Sequence, residues 1–185
     1  AWHRSSDGAA TAAPANASAP ELDLADLTAH TVVAPPGSPI TPDRLVVPRL
    51  GLDAPIAPVT MTADGTLQVP ADPSEVGWWA EGAAPGAAQG TAILAGHVNT
   101  ARRGPGAFAR LNELEPGDEI VIIGGTSELR VHVQSVQRYP KDALPAQEVF
   151  SQEVPGRVAL VSCAGLFDAT TGHYRDNIVV HASAP

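Results

Sequence analysis

From Asp43 onward the chain is a succession of short β-rich runs punctuated by Gly, Pro and Asp, and this texture limits the fold more than any other feature. Runs that read as strands lie near Arg44–Val47, Ala54–Val59, Thr66–Val69, Thr91–His97, Glu119–Ile123, Glu128–Arg138, Arg157–Ser162 and Asn177–His181. In "ELRVHVQ", Leu129, Val131 and Val133 alternate with Arg130, His132 and Gln134, the period of a half-buried strand. "IGGTSE" and "ADGTL" read as hairpin turns, with glycines that accept positive φ. Helical signals are short: "PSEVGWWAEG", with Ser74 as N-cap and Gly82 as stop, "GAFARLNELEPGD" and "PAQEVFSQEV". Eight short strands with brief helices in the connections predict an all-β fold, a closed or nearly closed barrel. There is no internal repeat.

The residues before Asp43 differ in kind. "DGAATAAPANASAP" buries little and reads as linker. "PELDLADLTAH" is weakly helical or extended, and "TVVAPPGSPITP" is linker-like again. The expected division is therefore a linker or stalk over residues 1–42 and one folded domain over 43–185, long enough for a sizeable core. If the tail is ordered, Pro35, Pro36 and Pro39 favour an extended form that docks on the barrel or across a substrate groove. No apolar run reaches the ~18 residues of a membrane span. A net charge of −9 and a pI near 4.9 argue against nucleic acid as a partner.

Cys163 is the only cysteine, so an internal disulfide and a multi-thiolate metal site are both excluded. It follows the apolar run "VALVS". By position alone it reads as a small buried hydrophobe. As a nucleophile it would need a base or a cation nearby to supply thiolate. Of the six histidines, His3 and His30 lie in the tail, and His132 sits on the polar face of a strand. His181 lies in the last strand and His173 in the stretch after Cys163. His97 ends the apolar run "TAILAG", so His97 and Cys163 both close β-rich runs and can meet at one barrel rim. Arg175 opens the last strand. If that strand pairs antiparallel with Arg157–Ser162, Arg175 comes close to Cys163 and can hold a carbonyl or a developing oxyanion. The alternative is a surface arginine paired with Asp176 or Asp168.

"TAILAGHVNT" followed far downstream by "ALVSCAGLFDATTGHYRDNIVVHA" resembles the sortase family, and most of all the class F sortases of actinobacteria. "GPGAFARLNELEPGDEIVI" resembles the segment that follows the family's histidine. The similarity runs from about Arg44 to Ala182. It implies a closed eight-stranded sortase-type barrel and a cysteine transpeptidase and endopeptidase on the outer face of a Gram-positive cell. The implied substrate is an LPxTG-like sorting signal, cleaved between Thr and Gly through a thioacyl-enzyme. The implied acceptor is an amine of peptidoglycan or of a pilin.

Carried over by residue, the resemblance makes Cys163 the nucleophile, His97 the general acid/base and Arg175 the oxyanion residue. Ser162, Asn99, Ala164 and His173 then border the substrate. In the stretch Val136–Pro155, Tyr139 and Leu144 line an apolar pocket for the signal, whereas Val149 and Phe150 pack the short helix onto the barrel. The strand that reads "TLxTC" in the family reads "ALVSC" here; Ser162 keeps a hydroxyl that can serve the intermediate. Asn99 stands where the class often has aspartate. No acidic cluster matches the calcium site of some class A members, so no metal and no cofactor are expected. The family's membrane segment is expected to precede Ala1, with the Ala/Pro tail as stalk. Two alternatives remain. One is another exported cysteine enzyme, either a peptidoglycan transpeptidase or a peptidase whose cysteine precedes its histidine, for which His173 or His181 would be the base. The other is a non-catalytic peptide-binding barrel.

Overall fold

The computed structural model describes residues 24–63, 65–100, 103–168, 170 and 173–185. Eight strands make the barrel: β1 (Arg44–Val47), β2 (Leu52–Val59), β3 (Val76–Trp79), β4 (Thr91–Gly96), β5 (Glu119–Gly124), β6 (Ser127–Pro140), β7 (Arg157–Asp168) and β8 (His173–Ser183). Their order around the wall is β6-β8-β7-β4-β3-β2-β1-β5, and a β5–β6 hairpin closes the ring. The β2–β3 and β4–β7 pairs are parallel and the others antiparallel. The expected closed eight-stranded barrel is the fold observed.

Alternation fills the interior. Leu45 and Val47 of β1, Ile120 and Ile122 of β5, Leu129, Val131 and Val133 of β6, and Val158 and Leu160 of β7 all point into one cluster. Phe108, Leu111 and Leu114, from the connection between β4 and β5, plug it. The hairpin "IGGTSE" turns through Gly125 at φ 58° between the paired Gly124 and Ser127, a conformation cheap only for glycine.

Three expected elements differ. Residues Val76–Trp79 form β3 rather than a helix, because Gly77 lets this short run lie against Val59 of β2. A Cβ on Gly77 would meet the Val59 side chain at 2.9 Å. Thr66–Val69 is no strand; it contributes one bridge, Leu67 to Met61, and Pro70 and Pro73 then interrupt any ladder. "GAFARLNELEPGD" yields only a 3-10 turn at Leu111–Glu113, while "PAQEVFSQEV" yields a single helical turn, Ala146–Val149.

β6 carries a register shift where it passes β8: His181 pairs with Ser135, but Ala182 pairs with Val133. The extra residue, Gln134, is a bulge that reverses the alternation. Before it, odd-numbered residues face inward; after it, Val136 packs on the core while Tyr139 turns outward. There Tyr139 joins Leu144, Phe150 and Val149 over Ile93, Ala159 and Val179, so residues 141–150 roof the outer face of β4, β7 and β8.

The residues before β1 also lie on the barrel from Leu24 on. Leu24 and Leu27 cover Val46, Val121 and Ile123. Val32–Val33 adds a two-residue parallel strand to Ser127–Glu128 of β6, and Ile40 enters the core. The Ala/Pro-rich residues 1–23, including His3, lie outside the described residues, as does Asp64 of "ADGTL".

Candidate active site

β4 and β7 run parallel, and their last paired rung is Ala95 with Val161. One step further the Ser162 hydroxyl donates to the Gly96 carbonyl at 2.8 Å, in a buried bond. The next residue on each chain is Cys163 or His97. The two therefore lie one residue beyond this bond on neighbouring chain segments, and both border one cavity.

Cys163 is half-buried and is not at a strand end. Only its pairing with β4 stops, because β7 continues against β8 through Cys163↔Asn177, Ala164↔Asp176 and Phe167↔Tyr174. A bulge at Gly165, φ 80°, bends this ribbon, and a Cβ there would meet the Asp176 carboxylate at 2.4 Å. Arg175 likewise lies inside β8 rather than at its start. It is two residues from Asn177, hence on the same sheet face as Cys163. It is exposed, has interaction partners, and does not line the cavity described next.

His97 and Cys163 share a cavity of about 840 Å³ on the outer side of the wall. Its apolar lining comes from Leu67, Val69, Phe150, Val161 and Phe167, and its polar lining includes Asn99, Thr66 and Asn177. The His97 Nε2 lies 3.0 Å from the Pro70 carbonyl. A carbonyl only accepts, so Nε2 carries a proton and donates it, and Nδ1 is the nitrogen left to exchange protons. The loop that supplies Pro70 is pinned two residues later. Asp72 accepts from the Ser74 amide and hydroxyl and pairs with Arg103 at 2.9 Å. The Ser74 bonds, helped by Arg103, hold the Asp72 carboxyl below its ordinary range. Gly106 lies against His97 from the other side; a Cβ there would stand 2.2 Å from the His97 carbonyl oxygen.

The remaining sequence candidates divide. Ser162 borders the cavity, but its one proton is committed to Gly96 rather than offered to a substrate. Asn99 is exposed at the cavity mouth. Tyr139 and Leu144 do not line it: the bulge in β6 turns Tyr139 into the outer cluster, where Leu144 packs beside it. Phe150, read as packing only, does line it. Ala164 faces the barrel interior and borders a second, smaller cavity. His173 begins β8, and its side chain lies outside the described residues. The contributions of Leu67 and Val69 were missed in sequence, where their alternation signals a strand and not a cavity wall. The Pro70 carbonyl, a backbone group, leaves no signal at all.

A family model described as a sortase domain matches residues 45–184. Among solved structures, a sortase E1 from Streptomyces coelicolor with a tripeptide in its active site is 24% identical, with TM-score 0.56. The match covers 78% of this chain and 87% of that one. A sortase D5 transpeptidase from Clostridium perfringens is 20% identical over 76% of each chain, with TM-score 0.55. Sortase A from Corynebacterium diphtheriae is 15% identical, with TM-score 0.57, over 78% of this chain and 60% of that one. A search of curated proteins found no match.

Proposed function

The chain belongs to the sortase family of transpeptidases, and on that premise we propose that it cleaves an LPxTG-like sorting signal and joins the acyl fragment to an amine of the cell envelope. The observation that carries this reading is that Cys163 and His97 share one apolar-walled cavity, one residue beyond the Ser162–Gly96 bond.

In the proposed cycle the Cys163 sulfur attacks the threonyl carbonyl. His97 takes the thiol proton at Nδ1 and returns it to the departing glycyl nitrogen, while Nε2 stays bonded to Pro70. The thioester retains the acyl energy, so the acceptor amine can be joined without ATP. Leu67, Val69, Val161 and Phe150 offer apolar surface for the leucine and proline of the signal. Arg175, on the face shared with Cys163, holds the carbonyl oxygen when the peptide spans the rim. The division into a stalk before Asp43 and a catalytic domain over 43–185 belongs to this reading, with the stalk's last stretch, from Leu24, packed on the barrel. So do a place on the outer face of the cell membrane and a class F affiliation, the last supported by "GHV", "ALVSC" and "GHYRDN". No helix among the described residues is long and apolar enough to cross a membrane.

The test is cleavage of an LPxTG peptide with a glycine-based acceptor. Cys163→Ala abolishes turnover, and His97→Ala lowers it by about 10²- to 10⁴-fold. Activity kept in Cys163→Ala, or lost in His173→Ala but kept in His97→Ala, overturns the assignment.

A further inference from the structure

Cys163 also borders a second cavity, of about 340 Å³, at the barrel mouth on the opposite side of β7. Its lining includes Phe108, Leu111, Asn112, Arg138, Ala164 and Tyr174. Arg138 stands there because of the bulge in β6. It pairs with Ile178, which pairs with Ser162, so the three form one row across the sheet, with Arg138 about 10 Å from β7. The reversed alternation gives Arg138 the inward face of Val136 and Ile178, beyond the last apolar layer. It has no ion pair among the described residues. No carboxylate is among the described residues that line this cavity; Asp176 lies just behind its wall residue Gly165.

We infer that this second cavity receives the acceptor and selects an amine whose molecule also carries a carboxylate, which Arg138 binds. The inference rests on the transpeptidase reading above. With the acyl chain in the larger cavity, an acceptor in the second one approaches the thioester past Val98 and Tyr174, which line both. The guanidinium offers a planar fork of donors that matches a carboxylate. In the step itself, the amine nitrogen bonds to the acyl carbon and the C–S bond breaks. The electron pair stays on sulfur, and the nitrogen's proton passes to the thiolate by way of His97. The products are an amide and the free thiol.

The experiment uses the whole chain, an LPxTG peptide, and two acceptors with the same primary amine: glycylglycine, with a carboxylate, and glycylglycinamide, without one. Hydrolysis of the peptide without acceptor reports acyl-enzyme formation separately. The wild type is expected to favour glycylglycine about tenfold in kcat/KM, as for one charge-assisted contact. In Arg138→Gln that preference falls to about one, and in Arg138→Lys it is intermediate. Equal use of both acceptors by the wild type, or an undiminished preference in Arg138→Gln, overturns the inference while leaving the transpeptidase reading intact. A wild type that never cleaves the peptide overturns both.

Discussion

The Ser162 hydroxyl and the Gly96 carbonyl are joined by a buried 2.8 Å hydrogen bond, and the two residues immediately precede Cys163 and His97, two of the three groups proposed for catalysis. The strands pair only as far as Val161 and Ala95, so this side-chain bond acts as one further rung. It ties the strand of Cys163 to that of His97 just where the ladder ends.

Removing that rung is expected to cost both stability and rate. Ser162→Ala removes a buried hydrogen bond to the Gly96 carbonyl, a loss of about 0.5–1.5 kcal/mol. It also frees His97 to drift from Cys163, which slows acylation. Ser162→Thr keeps the hydroxyl and is expected to restore most of both. Urea unfolding and single-turnover acylation check this; a Ser162→Ala protein of unchanged stability and rate would contradict it.

Gly106 sets the position of His97 from the opposite side. A methyl group there would meet the His97 carbonyl oxygen at 2.2 Å and the His97 Cβ at 2.8 Å, so Gly106→Ala must shift the histidine backbone. A displacement on the order of 1 Å at a reacting group can cost about 10²-fold in rate. The expected result is a large fall in kcat with a circular-dichroism spectrum like the wild type.

His181 predicts an acid-side loss of stability. It is buried in β8, its Nε2 has no hydrogen-bond partner among the described residues, and desolvation, then Arg157, lowers its pKa from 6.5. The unfolded chain then binds this proton more readily than the folded one. The contribution is complete above about pH 6.5, declines as pH falls through that value, and levels off below the folded pKa. In His181→Gln the slope of unfolding free energy against pH should be shallower below pH 6.5; an identical slope would rule His181 out as its source.

Removing residues 1–31 is expected to lower stability but not kcat. Leu24 and Leu27 shield Val46, Val121 and Ile123, and the Thr31 hydroxyl donates to buried Glu128. None of the described residues before β1 lines either cavity that Cys163 borders. Partial burial of two leucines corresponds to about 1–3 kcal/mol, readable as a fall in urea midpoint. A rise in kcat on truncation would instead mean that the tail inhibits.

Much of the barrel was legible because its interior is written in period two: Leu129, Val131 and Val133 face inward as their spacing requires. β3 was not legible. Four residues carry no period, and Ser74 and Gly82 resemble helix caps; only the pairing with β2 and β4 makes Val76–Trp79 extended. For the candidate site, the sequence nominated Cys163 and His97, which share the larger cavity, and Arg175, which does not line it. It misjudged Tyr139 because the alternation reverses at Gln134, and a bulge arises between strands, not within one.

By itself, then, the sequence determined which residues can be buried, which can bear charge or a reactive sulfur, and roughly where strands begin. Those properties belong to single side chains and their short-range repeat. Only the tertiary structure decided that Ser162 spends its proton on Gly96, that the Pro70 carbonyl fixes the His97 tautomer, and that Arg138 rather than Tyr139 faces the barrel mouth. Each of these depends on register between strands distant in the chain, and register is settled by the packing of the whole barrel at once.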